Sequence, residues 1–190
     1  MSSDVECGSA DALSRLHLLL GAVAATPSDA DVVELGLSQA IAVTGAGSAV
    51  LGTLRDPATL DLAMASGGGG SISRCGALRV GSRYPLTDAI ARQRSVWLSS
   101  AAEIAAAYPT AGGLWGRAFA AVPIMVRGLP IGAIGVIHDD GNHVFTDAER
   151  LCLRAIADIC AVVMAHRQAI GIVRPMPPLG HRYAAHDAGR

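Results

Sequence analysis

Four cysteines, at positions 7, 75, 152 and 160, are the side chains of this chain best suited to covalent chemistry. No two of them form a Cys-x-x-Cys pair, so their spacing signals neither a disulfide framework nor a zinc site, and we expect reduced thiols. Cys75 follows a glycine-rich segment in a predicted loop, where it could respond to oxidants. Cys152 and Cys160 fall in a predicted helix and fit apolar positions, as unpaired cysteine usually does.

A second group of side chains could bind an apolar ligand. Most of the aromatic residues lie between positions 84 and 119, where their rings could line a site while Arg79, Arg83 or Arg117 fixes an anionic group. The alternative is that the rings fill the core and the arginines are solvated. The aromatic candidates for the site are Tyr84, Trp97, Tyr108, Trp115 and Phe119.

Composition and charge exclude several kinds of partner. The net charge is −1 and all 15 basic residues are arginines without a basic cluster, so we expect neither nucleic-acid nor membrane-surface binding. No uncharged apolar run is long enough to span a membrane. The first ten residues carry Asp4 and Glu6 and no basic residue, which argues against a secretory signal and favours a cytoplasmic protein. Phosphate-binding loops and Ser-His-Asp arrangements are not found.

The elements that must position these side chains begin with two predicted helices. The first, Asp11–Ala25, has an apolar stripe, and the second runs from Asp29 to Thr44. From Ser48 the apolar period changes to two, which predicts a β-hairpin as far as Ser66. The glycine run that follows predicts a mobile loop from Gly67 to about Ser82.

In the middle of the chain, the sequence predicts a short helix over Leu86–Arg94 with Thr87 as its cap, followed by a strand over Ser95–Ser99. It then predicts a small helix over Ser100–Ala107 with Glu103 in a capping position. We expect a loop from Tyr108 to Gly116.

The last third predicts a hairpin followed by a long helix. Its strands are Ala120–Val126 and Ile131–Ile137, and Gly132 and Gly135 within the second strand indicate close approach of another backbone or a ligand. The helix begins at Asp147, after a Thr146–Glu149 capping box, and extends to about Ala169. Its apolar surface is wide enough to cover the sheet with one stripe and to face a partner helix with another.

In this order, four segments resemble a GAF domain over residues 11–168: SAVLGTLRD with TLDLAMASGG, RYPLTDAIARQRSVWLSS, AAVPIMVRGLPIGAIGVI, and HVFTDAERLCLRAIADICAVVMAHR. The resemblance implies an α+β, PAS-related fold with a central antiparallel sheet of about six strands. It places the terminal helices together on one face and a ligand-type pocket on the other, with Met64 and Asp88 as further pocket candidates. Residues 1–10 and 169–190 would be flexible ends.

The resemblance implies a non-catalytic small-molecule sensor in bacterial signal transduction, which signals through its terminal helices to a partner protein that carries the output. A homodimer through these helices is expected, with Leu13, Leu16, Leu20, Ile156, Ile159 and Val163 as interface candidates. One alternative is an interaction or dimerisation module with a vestigial pocket. Another is an enzyme similar to the free methionine-(R)-sulfoxide reductases of this fold, with Cys75 as its thiol, although no resolving cysteine is evident.

The cofactor and the ligand are not identified by the sequence. The segment RYPLTDAIA is similar to one beside the bilin in phytochrome-type members, but no cysteine between Tyr108 and Phe119 could anchor a bilin covalently. The NKFDE residues of the cyclic-nucleotide-binding branch are not found. Haem remains an alternative, with His138 and His143 as candidate axial ligands.

Overall fold

The computed structural model describes residue 21 and residues 29–67, 72–110 and 116–169, with side chains described as far as 165. The predicted helix Asp11–Ala25 therefore lies almost wholly outside the described residues, as do the two chain ends and Trp115. The helices are α1 (Asp29–Thr44), α2 (Pro85–Arg92), α3 (Ala101–Ala107) and α4 (Asp147–Ala169). The strands are β1 (Ser48–Asp56), β2 (Thr59–Ser66), β3 (Ser73–Arg79), β4 (Val96–Leu98), β5 (Ala118–Val126) and β6 (Leu129–His138).

The six strands form one antiparallel sheet in the order β3-β2-β1-β6-β5-β4, which confirms the predicted fold class. Both predicted hairpins are present. The turn between β5 and β6 is made by Arg127 and Gly128, both with positive φ (51° and 81°), which suits the twist of a tight hairpin.

Helices α1 and α4 cover one face of the sheet, called here the helix side. Every second residue of a central strand faces this side. Leu51 of β1, Ala120 of β5 and Val136 of β6 belong to this set, and they pack with Leu37 of α1 and Leu153 of α4. The Thr146–Glu149 capping box opens α4 as predicted: the Thr146 N–H donates to Glu149 Oε2 at 2.6 Å, and the Glu149 N–H donates to Thr146 Oγ1 at 3.2 Å.

Helices α2 and α3 cover the opposite face, called here the small-helix side. A second apolar cluster there joins Val50, Leu60 and Phe119 of the sheet to Leu86 of α2 and Ile104 of α3. The central strands are thus buried on both faces, which explains why their sequences are near-continuous apolar runs.

The glycines of β6 mark close packing, as the sequence predicts. A Cβ at Gly132 would lie 2.2 Å from the carbonyl oxygen of Gly52 in β1. A Cβ at Gly135 would lie 2.9 Å from both the Ala120 carbonyl oxygen and the Phe119 ring, and 3.3 Å from Leu86. Backbone and core side chains, rather than a ligand, therefore occupy this space.

Two local predictions are wrong. The loop expected from Gly67 to Ser82 contains β3, an edge strand whose side chains are mostly exposed, so it lacks the apolar alternation that would reveal it. Thr87 is not the cap of α2 but lies in its first turn, where its buried Oγ1 accepts a hydrogen bond from the Tyr84 N–H at 3.1 Å. Ser100 caps α3, and the Glu103 carboxylate accepts from the Ser99 N–H at 2.8 Å.

We expect Gly132→Ala to lower the free energy of unfolding by about 2 to 3 kcal/mol, because the added methyl group meets a backbone oxygen that cannot rotate away. Gly81→Ala is the matched control, since no described residue other than its two chain neighbours has an atom within 4 Å of its Cβ position. Urea unfolding of both variants checks this. Equal stabilities would contradict the close approach of β6 and β1.

Candidate functional site

The small-helix side holds most of the predicted pocket residues. Phe119 and Tyr108 are buried there, and Met64 and Tyr84 are half-buried against the same cluster. These side chains therefore lie on one face of the sheet, although they come from strands on both sides of the sheet centre and from the segments around α2 and α3. Whether these side chains could form a ligand site depends on the space between them.

That space is filled by the protein itself. The Phe119 ring and the Leu86 side chain lie against Gly135, and Leu60 lies 2.6 Å from the Cβ position of Gly52. These side chains close the centre of the small-helix side with tight apolar contacts.

Asp88 is engaged by its neighbours. The Tyr108 hydroxyl donates to Asp88 Oδ2 at 3.0 Å, and Arg92 Nη2 lies 3.2 Å from the same oxygen. Burial and the Asp88 carboxylate raise the pKa of Tyr108 to about 12, so its hydroxyl keeps its proton at physiological pH. The pair ties the end of α3 to α2 and leaves Asp88 with two protein partners.

Trp97 does not join the other aromatic candidates. It belongs to β4 and points to the helix side, where its ring centroid lies 5.6 Å from that of Phe145. The guanidinium carbons of Arg150 and Arg154 lie 5.2 Å and 6.0 Å from the Trp97 ring centroid. The period of two in a strand decides this, because Trp97 alternates with Val96 and Leu98, which face the small-helix side.

His138 and His143, the candidate haem ligands, also lie on the helix side. Their rings are stacked with centroids 3.8 Å apart, and both rings contact Phe145 edge-on. The small-helix side, where the ligand pocket is expected, therefore receives neither imidazole. Among the described residues, no group of three or more His, Cys, Asp or Glu side chains could hold a metal ion.

The described thiols lack the environment of a reactive cysteine. Cys75 lies in β3, at a bulge opposite Leu62 and Ala63, rather than in a pocket-facing loop as predicted. Partial desolvation raises the pKa of Cys75 above 9.0 although its side chain is exposed, and burial raises the pKa of Cys152 and takes that of Cys160 to about 12. Each thiol is therefore protonated at neutral pH, and the thiolate that would attack a substrate is scarce.

A cavity that the sequence does not reveal lies on the helix side, beside strands β1 to β3. Its volume is about 250 Å³, and Val33, Leu51 and Ala63 form part of its apolar lining. Arg55 and Asp61, which form a salt bridge with Nε and Oδ2 2.9 Å apart, also line it. The two ends of this salt bridge come from neighbouring strands, so only strand pairing brings them together.

The three predicted interface residues of α4 differ in how deeply they are buried. Ile156 is fully buried in the helix-side core and is unavailable to a partner, whereas Ile159 and Val163 are half-buried against that core. The outward face of α4 instead carries Leu151 and Val162, which are 65% and 69% exposed. Leu13, Leu16 and Leu20 lie outside the described residues.

Comparison with known proteins identifies the fold. A family model described as GAF domain matches residues 27–165. The GAF domain of a phosphoenolpyruvate-protein phosphotransferase from Coxiella burnetii is similar with a TM-score of 0.72 and 20% identity, covering 87% of this chain and 99% of that one. The corresponding Acinetobacter domain has a TM-score of 0.69 and 17% identity, with 85% and 98% covered.

A third similar structure is an enzyme. The free methionine-R-sulfoxide reductase from Neisseria meningitidis, solved in complex with its substrate, has a TM-score of 0.67 and 20% identity, covering 85% of this chain and 93% of that one. Identities this low show the shared fold alone. No curated protein is significantly similar to the chain. No helix in the described part of the chain is long and apolar enough to cross a membrane.

We expect the alkylation rate of Cys75 to rise with a midpoint above pH 9.0, because partial desolvation of this exposed side chain disfavours its thiolate. Iodoacetamide labelling of the Cys75 peptide, followed by mass spectrometry between pH 6 and pH 10, measures this midpoint. We also expect no turnover of free methionine (R)-sulfoxide by the reduced protein. A midpoint below pH 8, or turnover that Cys75→Ser abolishes, would contradict this account of the thiol.

Proposed function

The chain belongs to the GAF domain family, and from this we propose that it is a non-catalytic regulatory domain that signals through the outward face of α4, first of all to a second copy of itself. Sensory and regulatory roles are general in this family. The thiols described above are protonated at neutral pH, which supports a role without catalysis. A partner protein would then carry the output of the signal.

The two faces of α4 carry this proposal. Cys152, Ile156 and Cys160 are buried against the sheet and α1, while Leu151 and Val162 are exposed on the other side. Leu151 and Val162 are about three helical turns apart, so they lie on the same face. Exposed large apolar side chains grouped on one helix face are typical of an interaction surface.

The charges on this face suit a second copy of the helix. Asp158 lies between Leu151 and Val162 on the exposed side, and Arg154 is also exposed one turn earlier. In a two-fold pair of antiparallel helices, Asp158 of one protomer would lie near Arg154 of the other, since an isologous interface repeats each contact twice. The apolar pair would then be flanked by complementary charges.

The buried face of α4 gives the signal a route. Leu153 and Ile156 pack in the same cluster as Leu37 of α1 and Val136 of β6, so a shift of the sheet must also shift α4. A ligand or partner would bias this equilibrium only by binding one arrangement of α4 more tightly than the other. The helix therefore couples the core to the proposed interface.

We expect Leu151→Asp combined with Val162→Asp to convert a dimer into a monomer, with at least a 100-fold rise in the dimer dissociation constant, because four carboxylates would enter the interface. Both positions are exposed, so we expect the stability of the monomer to change by less than about 1 kcal/mol. Sedimentation velocity over a range of concentrations gives the dissociation constant.

The matched control is Leu129→Asp combined with Val144→Asp, which makes the same two changes at side chains that are 68% and 74% exposed away from α4. The control should remain dimeric. A wild-type protein that is monomeric at every concentration, or an α4 double variant that dimerises as well as the control, would refute the proposed interface.

A small-molecule sensor is the second candidate, and the small buried surface of α3 favours it. Within α3, Ile104 is the residue that is buried. At the C-terminal end of α3, the Tyr108 hydroxyl donates a hydrogen bond to Asp88. A ligand that displaced α3 could reach the Phe119 and Leu86 side chains beneath it. The closed arrangement would then be the ligand-free state of the sensor.

We expect Tyr108→Phe to lower the free energy of unfolding by about 1 kcal/mol, because it removes one hydrogen bond and keeps the ring. A ligand that binds beneath α3 should bind Tyr108→Phe more tightly than wild type, since opening costs less. Native mass spectrometry and a thermal-shift panel of metabolites would identify such a ligand. A ligand that binds both proteins equally does not enter by opening α3, and a panel without any binder favours a vestigial pocket.

A further inference from the structure

Two histidines join the end of the sheet to the start of α4. His138 is the last residue of β6, and His143 lies in the segment that leads to α4. Their rings are nearly parallel, at an interplanar angle of 9° with centroids 3.8 Å apart. Phe145 packs edge-on against both rings and is itself buried in the helix-side core.

The two imidazoles have different polar surroundings. His143 Nε2 lies 2.9 Å from Glu149 Oε1, and the other oxygen of Glu149 accepts from the N–H and hydroxyl of Thr146. The His143 N–H donates to the Ser99 carbonyl oxygen at 3.0 Å. By contrast, His138 Nε2 is buried, and no described residue forms a hydrogen bond with it. A neutral ring tolerates this position better than a charged one.

We propose that the stacked pair of His138 and His143 is a pH-sensitive clasp, which holds residues 139–146 and the first turn of α4 against the sheet while His138 is neutral and releases them when His138 takes up a proton. The stack, the buried nitrogen and the bonds to Ser99 and Glu149 carry this inference. It does not depend on the identity of any ligand or partner.

The charged groups around His138 set the direction of the effect. Burial lowers the pKa of His138 below 6.5, and the charge of a protonated His143 lowers it further. Glu149 from α4 and Asp139 from the end of β6 oppose this by attracting a proton. Arg117, which precedes β5, donates its backbone N–H to the His138 carbonyl oxygen, and Arg150 of α4 donates from Nε to the Phe145 carbonyl oxygen at 3.0 Å while its guanidinium lies over the Trp97 ring.

The sign of the linkage follows from the lowered pKa. Because the folded protein binds this proton less tightly than the unfolded chain does, the stabilisation is complete above pH 6.5 and is lost as the pH falls through the lower pKa of the folded state. A single proton can change the unfolding equilibrium constant by at most about tenfold per pH unit.

The test combines two measurements on the full chain between pH 7.5 and pH 5.5. The NMR shift of the His138 ring should titrate below pH 6.5, and exchange broadening of backbone amides should begin in residues 139–150 before it appears elsewhere. Over the same range, the unfolding equilibrium constant from urea titrations should rise. In His138→Phe, which keeps a stacked ring but cannot take up a proton, this rise should be smaller.

His143→Phe provides a second variant in case His138→Phe is poorly folded. It removes the neighbouring charge, so the His138 titration should move upward towards 6.5 while remaining below it. Val144→Ala, at an exposed position in the same segment, should behave as wild type. The clasp is refuted if His138 titrates at or above pH 6.5, if His138→Phe keeps the wild-type pH dependence, or if the broadening is uniform across the chain.

Discussion

The close contact between β6 and β1 is the constraint on which the rest of this structure depends. At Gly132 the backbones approach so closely that a methyl group would lie 2.2 Å from the Gly52 carbonyl oxygen. Three residues further along, Gly135 makes room for the Phe119 ring on the small-helix side. These two glycines allow the central strands to pack against each other and to bury apolar side chains on both faces.

Burial on both faces divides the molecule into two surfaces with different roles. On the small-helix side, Leu86 and Phe119 pack against Gly135, Leu60 packs against Gly52, and the Tyr108–Asp88 hydrogen bond ties the end of α3 to α2. On the helix side, α4 continues the core inward and presents Leu151 and Val162 outward. The fold is that of a sensory and regulatory family, while this chain's own side chains make association through α4 the simpler proposal.

The start of α4 contacts the end of strand β6 through Glu149 and the histidine pair. Glu149 satisfies the N–H of Thr146 and also contacts His143, so one carboxylate serves both the helix cap and the histidine pair. Trp97 and Phe145 extend the same cluster to β4 and the core. A change at the end of β6 therefore reaches the helix that carries the proposed interface through direct contacts rather than over a distance.

The sequence by itself determined the two hairpins, the cap that opens α4 and the order of the elements other than β3, because apolar periods, the Arg127-Gly128 turn and the Thr146–Glu149 pair are local signals. It also predicted that another backbone or a ligand approaches Gly132 and Gly135 closely. Only the tertiary structure decided what fills that space, since the side chains that meet at Gly135 come from distant β5 and α2. Edge strand β3 escaped prediction because pairing with β2, rather than burial, makes it a strand. Strand register and the rotation of each helix about its axis depend on tertiary contacts, so local sequence signals do not fix them. They decide that Ile156 lies inside the core, that Trp97 lies on the helix side and that His138 stacks on His143.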